Sequence, residues 1–294
     1  DHAYERGVKT DYYIDPIILN KSGVIKDKDS VIFWNFRTDR ARQLATLFTG
    51  EKEMTSPTVK PYFVCMTKYS EKAAIVFSPA KVQNNLGQVI SNHGLSQLRI
   101  AETEKYAHVT YFFNSQVETP FSKEERIMID SPKCPSYAEK PEMSAREITE
   151  KLLERIDKIP GGEKGTPPLI VLNFANLDLV GHSGDLKATI EAVEVIDECL
   201  GKLIPIMIEK DYTVFLTGDH GNAEYMIYDE GEKKGEPCPS HTRNPVPFFI
   251  IGKEFNKNTK LKENGELKDI APTILKIMTI EKPCEMTGES LIEI

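Results

Sequence analysis

With 294 residues, 40% of them apolar and 28% charged, the chain has the composition of a folded globular protein rather than a disordered one, with room for two ordinary domains or one large α/β domain and part of another. A formal charge of -8 gives no general pull toward nucleic acid or anionic membrane, so an anionic substrate would need locally placed Arg and Lys. The longest apolar runs are strand-length, well short of the ~20 residues that span a bilayer, and five widely spaced cysteines without a CxxC pair fit a reducing cytosol.

The chain opens at Asp1-His2-Ala3-Tyr4 as though already inside a folded element, so the N-terminus of the whole protein is expected upstream. Short runs rich in β-branched and aromatic residues predict strands at 31–36, 62–66 and 74–77. A boundary follows near residues 78–86, where Pro79, Asn84, Asn85 and Gly87 break the pattern, leaving the smaller segment before it. Residues 109–113 predict a further strand. Ser144-Ala145-Arg146-Glu147 has the form of a capping box, and Ile148, Leu152, Ile156 and Ile159 follow it at helical spacing.

Beyond a predicted loop at 160–168 comes a strand at 169–174, then a helix over 187–208 with Ile190, Val193, Ile196, Leu200, Leu203 and Ile204 as its apolar stripe. Strands at 212–217 and 246–251 flank a polar stretch at 229–239. The strands are nearly all apolar, as strands buried on both faces are, and they alternate with helices. Both features predict an α/β fold with a largely parallel sheet covered by helices on each side. The glycine-rich stretch at 161–165 lacks the GxxxxGK[ST] spacing of a nucleotide-binding loop and reads as a turn.

Chemistry concentrates where strands end. The run at 169–174 leads into Asp178 and His182, the run at 212–217 leads into Asp219 and His220, and His241 lies just ahead of the last strand. In parallel α/β sheets such positions gather in one crevice. Taken singly, an Asp and a His four apart are usually a turn or surface pair, and a lone His before a strand is most often structural. Together they form a mixed carboxylate and imidazole set, which suits a borderline divalent ion such as Mn2+ or Zn2+. Five ligands are too many for one open catalytic site, so two ions are expected.

The same residues carry a resemblance. Asn173-Phe174-Ala175-Asn176-Leu177-Asp178-Leu179-Val180-Gly181-His182, Thr217-Gly218-Asp219-His220-Gly221-Asn222-Ala223-Glu224 and Ser240-His241-Thr242 resemble the metal motifs of the cofactor-independent phosphoglycerate mutases, members of the alkaline phosphatase superfamily. Upstream, Ala3-Tyr4-Glu5-Arg6-Gly7 and Phe36-Arg37-Thr38-Asp39-Arg40-Ala41-Arg42-Gln43-Leu44 resemble the phosphotransferase domain of that family.

The resemblance implies an alkaline-phosphatase-like domain over residues 81–294 and the C-terminal part of a phosphotransferase domain over residues 1–80. It implies one Mn2+ on Asp178, His182 and His241 and a second held in part by Asp219 and His220, with Zn2+ or Co2+ as alternatives. Arg37 and Arg40 match the family's substrate-phosphate arginines, whose forked guanidiniums grip phosphate bidentately. Lys105 matches a catalytic lysine that neutralises the phosphoryl group in transit.

The implied reaction interconverts 3-phosphoglycerate and 2-phosphoglycerate through a phosphoserine, in a cytoplasmic, glycolytic, monomeric enzyme that engages neither nucleic acid nor membrane. The family's nucleophilic serine and an N-terminal metal-binding aspartate belong to segments that find no match here, so this stretch alone is expected to be inactive. Two other possibilities stand beside it: a phosphatase or phosphopentomutase with the same metal core, and a non-catalytic metal-binding protein.

Overall fold

The computed structural model describes residues 2–8, 14–37, 40–51, 59–78, 82–161, 168–256 and 258–293. The chain divides into two units, a smaller one of Asp15–Lys81 and a larger one of Asp1–Ile14 with Val82–Ile294. Helix α1 (His2–Glu5) belongs to the larger.

In the smaller unit, β1 (Ser30–Phe33), β2 (Tyr62–Cys65) and β3 (Ala74–Ile75) form a parallel sheet in that order, with α2 (Ala41–Phe48) packed against one face. Ala41 and Ala45, one helical turn apart, are buried and let α2 lie close to Phe63 and Cys65. Phe48 stacks on Phe63 with ring centroids 5.1 Å apart.

The larger unit is built on β4 (Gln97–Glu102), which pairs in parallel with β5 (Glu124–Ile129) on one side and β6 (Leu169–Leu172) on the other. Every residue of β4 is buried, and its alternation sorts them by face. Leu98 and Ile100 enter the main core with Ile148, Leu152 and Ile156 of α5 (Ala145–Ile156) and Leu203 and Met207 of α7 (Leu186–Glu209). On the opposite face, Gln97 donates to the Gly87 carbonyl of α3 (Leu86–Asn92) at 2.9 Å, and the Arg99 guanidinium lies 4.2 Å from the Phe113 ring centroid. Helices therefore cover both faces.

The remaining elements are α4 (Thr103–Ala107), α6 (Asn176–Gly181), the antiparallel pair β7 (Val214–Thr217) and β8 (Phe248–Ile251), and α8 (Ile270–Ile277). Among the described residues no helix is long and apolar enough to cross a membrane. All five cysteines are unpaired.

Several sequence expectations are corrected. Residues 109–113 do not form a strand: α4 runs on into a π-helical turn, His108–Phe112, in which the Thr110 hydroxyl donates to the Tyr106 carbonyl at 2.7 Å. Its β-branched and aromatic content expresses a propensity that the continuing helix overrides. Ser144 makes no cap hydrogen bond to the helix, because its hydroxyl instead donates to Asp130 O at 2.8 Å. The buried stripe of α7 runs through Ala188, Ala192, Val195, Cys199, Leu203 and Met207, whereas Ile190 and Val193 are exposed. Close packing on α5 and α6 selects the face with small side chains over the most apolar one.

Strands β4 and β5 lie outside the predicted set, since buried Gln97, Arg99 and Glu102 interrupt any apolar run. The last two strands pair antiparallel, which breaks the expected parallel order. The loop expected at 160–168 falls mostly outside the described residues, as do Thr38 and Asp39 of the upstream motif.

Candidate metal centre

Topology brings the candidate residues of the larger unit together by two routes. Strands β4 and β6 are parallel and in register from Gln97↔Leu169 to Ile100↔Leu172, so the segments leaving them start side by side. One leads into α4, which bears Lys105, and the other into α6, which bears Asp178. Asp178 on α6 and His182 at its C-cap are four residues apart and share a face, joined by the His182 N–H to Asp178 carbonyl bond at 3.1 Å. The second route depends on the antiparallel pair. Because Thr217 is opposite Phe248, the segment leaving β7 runs beside the segment entering β8. A backbone bond from Thr242 N to Gly221 O at 2.9 Å then seats His241 against His220, their rings stacked at 3.7 Å and 13°.

At the centre, one ligand atom each from Asp178, His182 and His241 lies within 4.8 Å of the other two. Asp178 Oδ1 is 3.2 Å from His182 Nε2 and 3.0 Å from His241 Nε2, and the two Nε2 atoms are 3.2 Å apart. His182 Nδ1 lies 2.7 Å from the Pro239 carbonyl. A carbonyl can only accept, so Nδ1 carries a proton and Nε2 is the ring atom that faces the group. The other carboxylate oxygen, Asp178 Oδ2, accepts from Lys105 Nζ; both side chains are largely buried, at 8% and 13% exposure.

Burial alone would push the Asp178 carboxyl up, but the His182 hydrogen bond and the Lys105 charge outweigh it and hold the group well below the usual carboxylate range. Burial lowers His241, Asp178 pulls it back up, and His220 and His182 push it down again. The net position is below an ordinary histidine, which favours the neutral, ligating form.

An anionic oxygen and two imidazole nitrogens converging on one point are the donor set of a borderline divalent cation, and the residues present fit such an ion. His220 stands at the edge of the group, its Nε2 3.9 Å from Asp178 Oδ1 and 3.6 Å from Asp219 Oδ2. The Asp219 side chain, 59% exposed, is outside the three-residue cluster and reaches it through His220. Arg37 and Arg40 belong to the smaller unit, just past β1 and at the N-cap of α2, and both are exposed.

The structure also draws in residues that a search for ionisable donors passes over. Asn222, buried, donates from Nδ2 to Asp178 Oδ1 at 3.1 Å, and Glu224 accepts from the Thr242 hydroxyl. Their position inside the Gly221-Asn222-Ala223-Glu224 run was the available signal.

Fold and donor set together define a metal-dependent enzyme class, and the sequence bears this out: residues 35–282 match the Metalloenzyme superfamily, to which the chain belongs. Within it, the chain is similar to proteins named 2,3-bisphosphoglycerate-independent phosphoglycerate mutase. It is 47% identical to that of Moorella thermoacetica, covering 99% of this chain and 56% of the relative. It is 48% identical to that of Clostridium acetobutylicum, covering 97% and 56%. A crystal structure of Leishmania mexicana phosphoglycerate mutase at low cobalt concentration superimposes with a TM-score of 0.81 at 29% identity, covering 92% of this chain and 52% of that one. The likeness identifies the alkaline-phosphatase-like α/β fold expected from the motifs. The chain spans about half the length of the relatives it matches.

Proposed function

We propose that this chain supplies the metal-holding part of a phosphoglycerate mutase, an intramolecular phosphotransferase that interconverts 3-phosphoglycerate and 2-phosphoglycerate in the cytoplasm. The observation that carries the proposal is the convergence of Asp178, His182 and His241, with Lys105 on the far oxygen of the same carboxylate, in a chain nearly half identical to proteins of that name.

Asp178, His182 and His241 hold one divalent ion, with Mn2+ favoured by the oxygen and nitrogen donors and Zn2+ or Co2+ as alternatives. Asp219 and His220 contribute to a second. Such ions, when bound, lower the pKa of an attacking hydroxyl and offset charge on a transferring phosphoryl group. Lys105 adds a fixed positive charge beside Asp178, placed to neutralise phosphoryl oxygens in transit. Arg37 and Arg40 grip the phosphate or carboxylate of phosphoglycerate through bidentate pairs. The route runs through a phosphoserine whose serine is not among the residues assigned here, so these 294 residues alone are inactive. The full-length protein acts as a monomer.

Titration calorimetry of the Mn2+-loaded chain with 3-phosphoglycerate tests the substrate class. Binding that disappears in the Arg37→Ala, Arg40→Ala double variant is expected, and equal binding by parent and double variant would refute the assignment. An enolase-coupled assay of the chain alone should register no turnover; measurable mutase activity would overturn the claim of inactivity.

A further inference from the structure

Behind the proposed ligands, one carboxylate adds side-chain ties between the segment after β7 and the segment before β8, beside the backbone bond from Thr242 N to Gly221 O. Glu224 Oε2 accepts the Asn222 backbone N–H at 2.7 Å, while its Oε1 accepts the Thr242 hydroxyl and the Asn244 side-chain amide, the latter at 3.0 Å. Thr242 is the neighbour of His241. From the other end, the Asn222 amide donates to Asp178 twice, to Oδ1 at 3.1 Å and to the backbone carbonyl at 3.3 Å. Glu224 is thus one residue removed from each of two proposed ligands on different segments.

The surrounding backbone makes room for this layer. A Cβ on Gly181 would sit 2.5 Å from Asn222 Oδ1, and one on Gly221 would overlap both Thr242 Oγ1 and Glu224 Oε1. Two glycines therefore leave the space that Asn222 and Glu224 fill. A carboxylate accepts from all three partners at once, whereas a glutamine that kept the Asn222 N–H would turn its NH2 toward Thr242 and Asn244 and reverse the bonds to them. Charge-assisted bonds of this kind are stronger than neutral ones and hold geometry correspondingly well.

We infer that Glu224 is a positioning residue for the metal centre, acting through Asn222 on Asp178 and through Thr242 on His241. The inference rests on the metal-centre assignment and adds to it the group that sets the ligand spacing. Partners behind metal ligands are worth roughly 10–100-fold in metal affinity, which sets the expected effect.

The test is titration of the metal-free 294-residue chain with Co2+, followed by the visible d–d bands of the bound ion and by equilibrium dialysis. Glu224→Gln is expected to weaken Co2+ binding by roughly 10–100-fold and to shift the bands. Thr242→Val should weaken binding in the same direction, while Thr242→Ser, which keeps the hydroxyl, restores parental affinity and spectrum. Parental Co2+ affinity and bands in Glu224→Gln, with only a lower melting temperature, would reduce Glu224 to a structural residue and overturn the inference while leaving the metal centre standing. If Glu224→Gln does not fold, equal affinities for Thr242→Val and Thr242→Ser would overturn it. A parent chain that takes up no Co2+ would remove the metal centre and the inference together.

Discussion

Replacing Asp178 by Asn separates what its charge does for folding from what it does for metal. Asn keeps the volume and one carbonyl oxygen, so the packing around α6 is preserved, but the Lys105 ammonium, at 8% exposure, loses its counter-charge. Breaking a buried pair by removing one side costs about 3–5 kcal/mol. The retained oxygen still accepts from Lys105, which places Asp178→Asn near the lower edge, about 3 kcal/mol. For a unit of this size, that corresponds to a drop in melting temperature of roughly 6–12 °C.

The pH dependence has a definite sign. The folded-state pKa of Asp178 is depressed, so its charge stabilises fully above the ordinary carboxylate pKa near 4 and the contribution is lost as pH falls below it. The gap between parent and variant should therefore be widest near neutrality and narrow by about 1.4 kcal/mol per pH unit below pH 4. Thermal unfolding followed by circular dichroism in EDTA, from pH 7 down to pH 3.5, reads this directly, and dialysis against Mn2+ should find binding abolished. A variant that melts with the parent at pH 7, or a gap that grows in acid, would refute the reasoning.

Other outcomes follow from the same packing and hydrogen bonds. Gly181→Ala places a methyl against Asn222 and should reduce Mn2+ affinity by dialysis while secondary structure by circular dichroism stays intact. Ile148→Ala empties a fully buried site beside Leu98 and Leu152; it should destabilise by about 2–5 kcal/mol in urea unfolding while leaving Mn2+ affinity of the folded chain unchanged. Glu198, held at about 2 by hydrogen bonds from Arg146 and Lys202, should titrate near that value by carboxyl NMR and move back toward the ordinary range in Arg146→Ala.

The sequence alone carried the residue types and their order. Apolar strands alternating with amphipathic helices imply a sheet covered on both faces, and Asp178, His182, Asp219, His220 and His241 stand out because ionisable donors cluster at predicted strand ends. Local spacing even gave the core face of α5, since Ile148, Leu152, Ile156 and Ile159 need only helical periodicity to share one side.

What tertiary structure decided was everything that depends on a distant partner. Strand β4 is invisible to an apolar-run search because Gln97 and Arg99 become buriable only when the Gly87 carbonyl and the Phe113 ring reach them. The α7 stripe was set by how near α5 and α6 come, which no hydropathy pattern encodes. His241 meets His220 because β7 and β8 run antiparallel, laying the start of one strand beside the end of the other, and the contacts of Asn222 with Asp178 and of Pro239 with His182 join that pair to α6. Asn222 and Glu224 acquired their place in the same way, as short-range polar contacts between segments whose approach is fixed by pairings far along the chain.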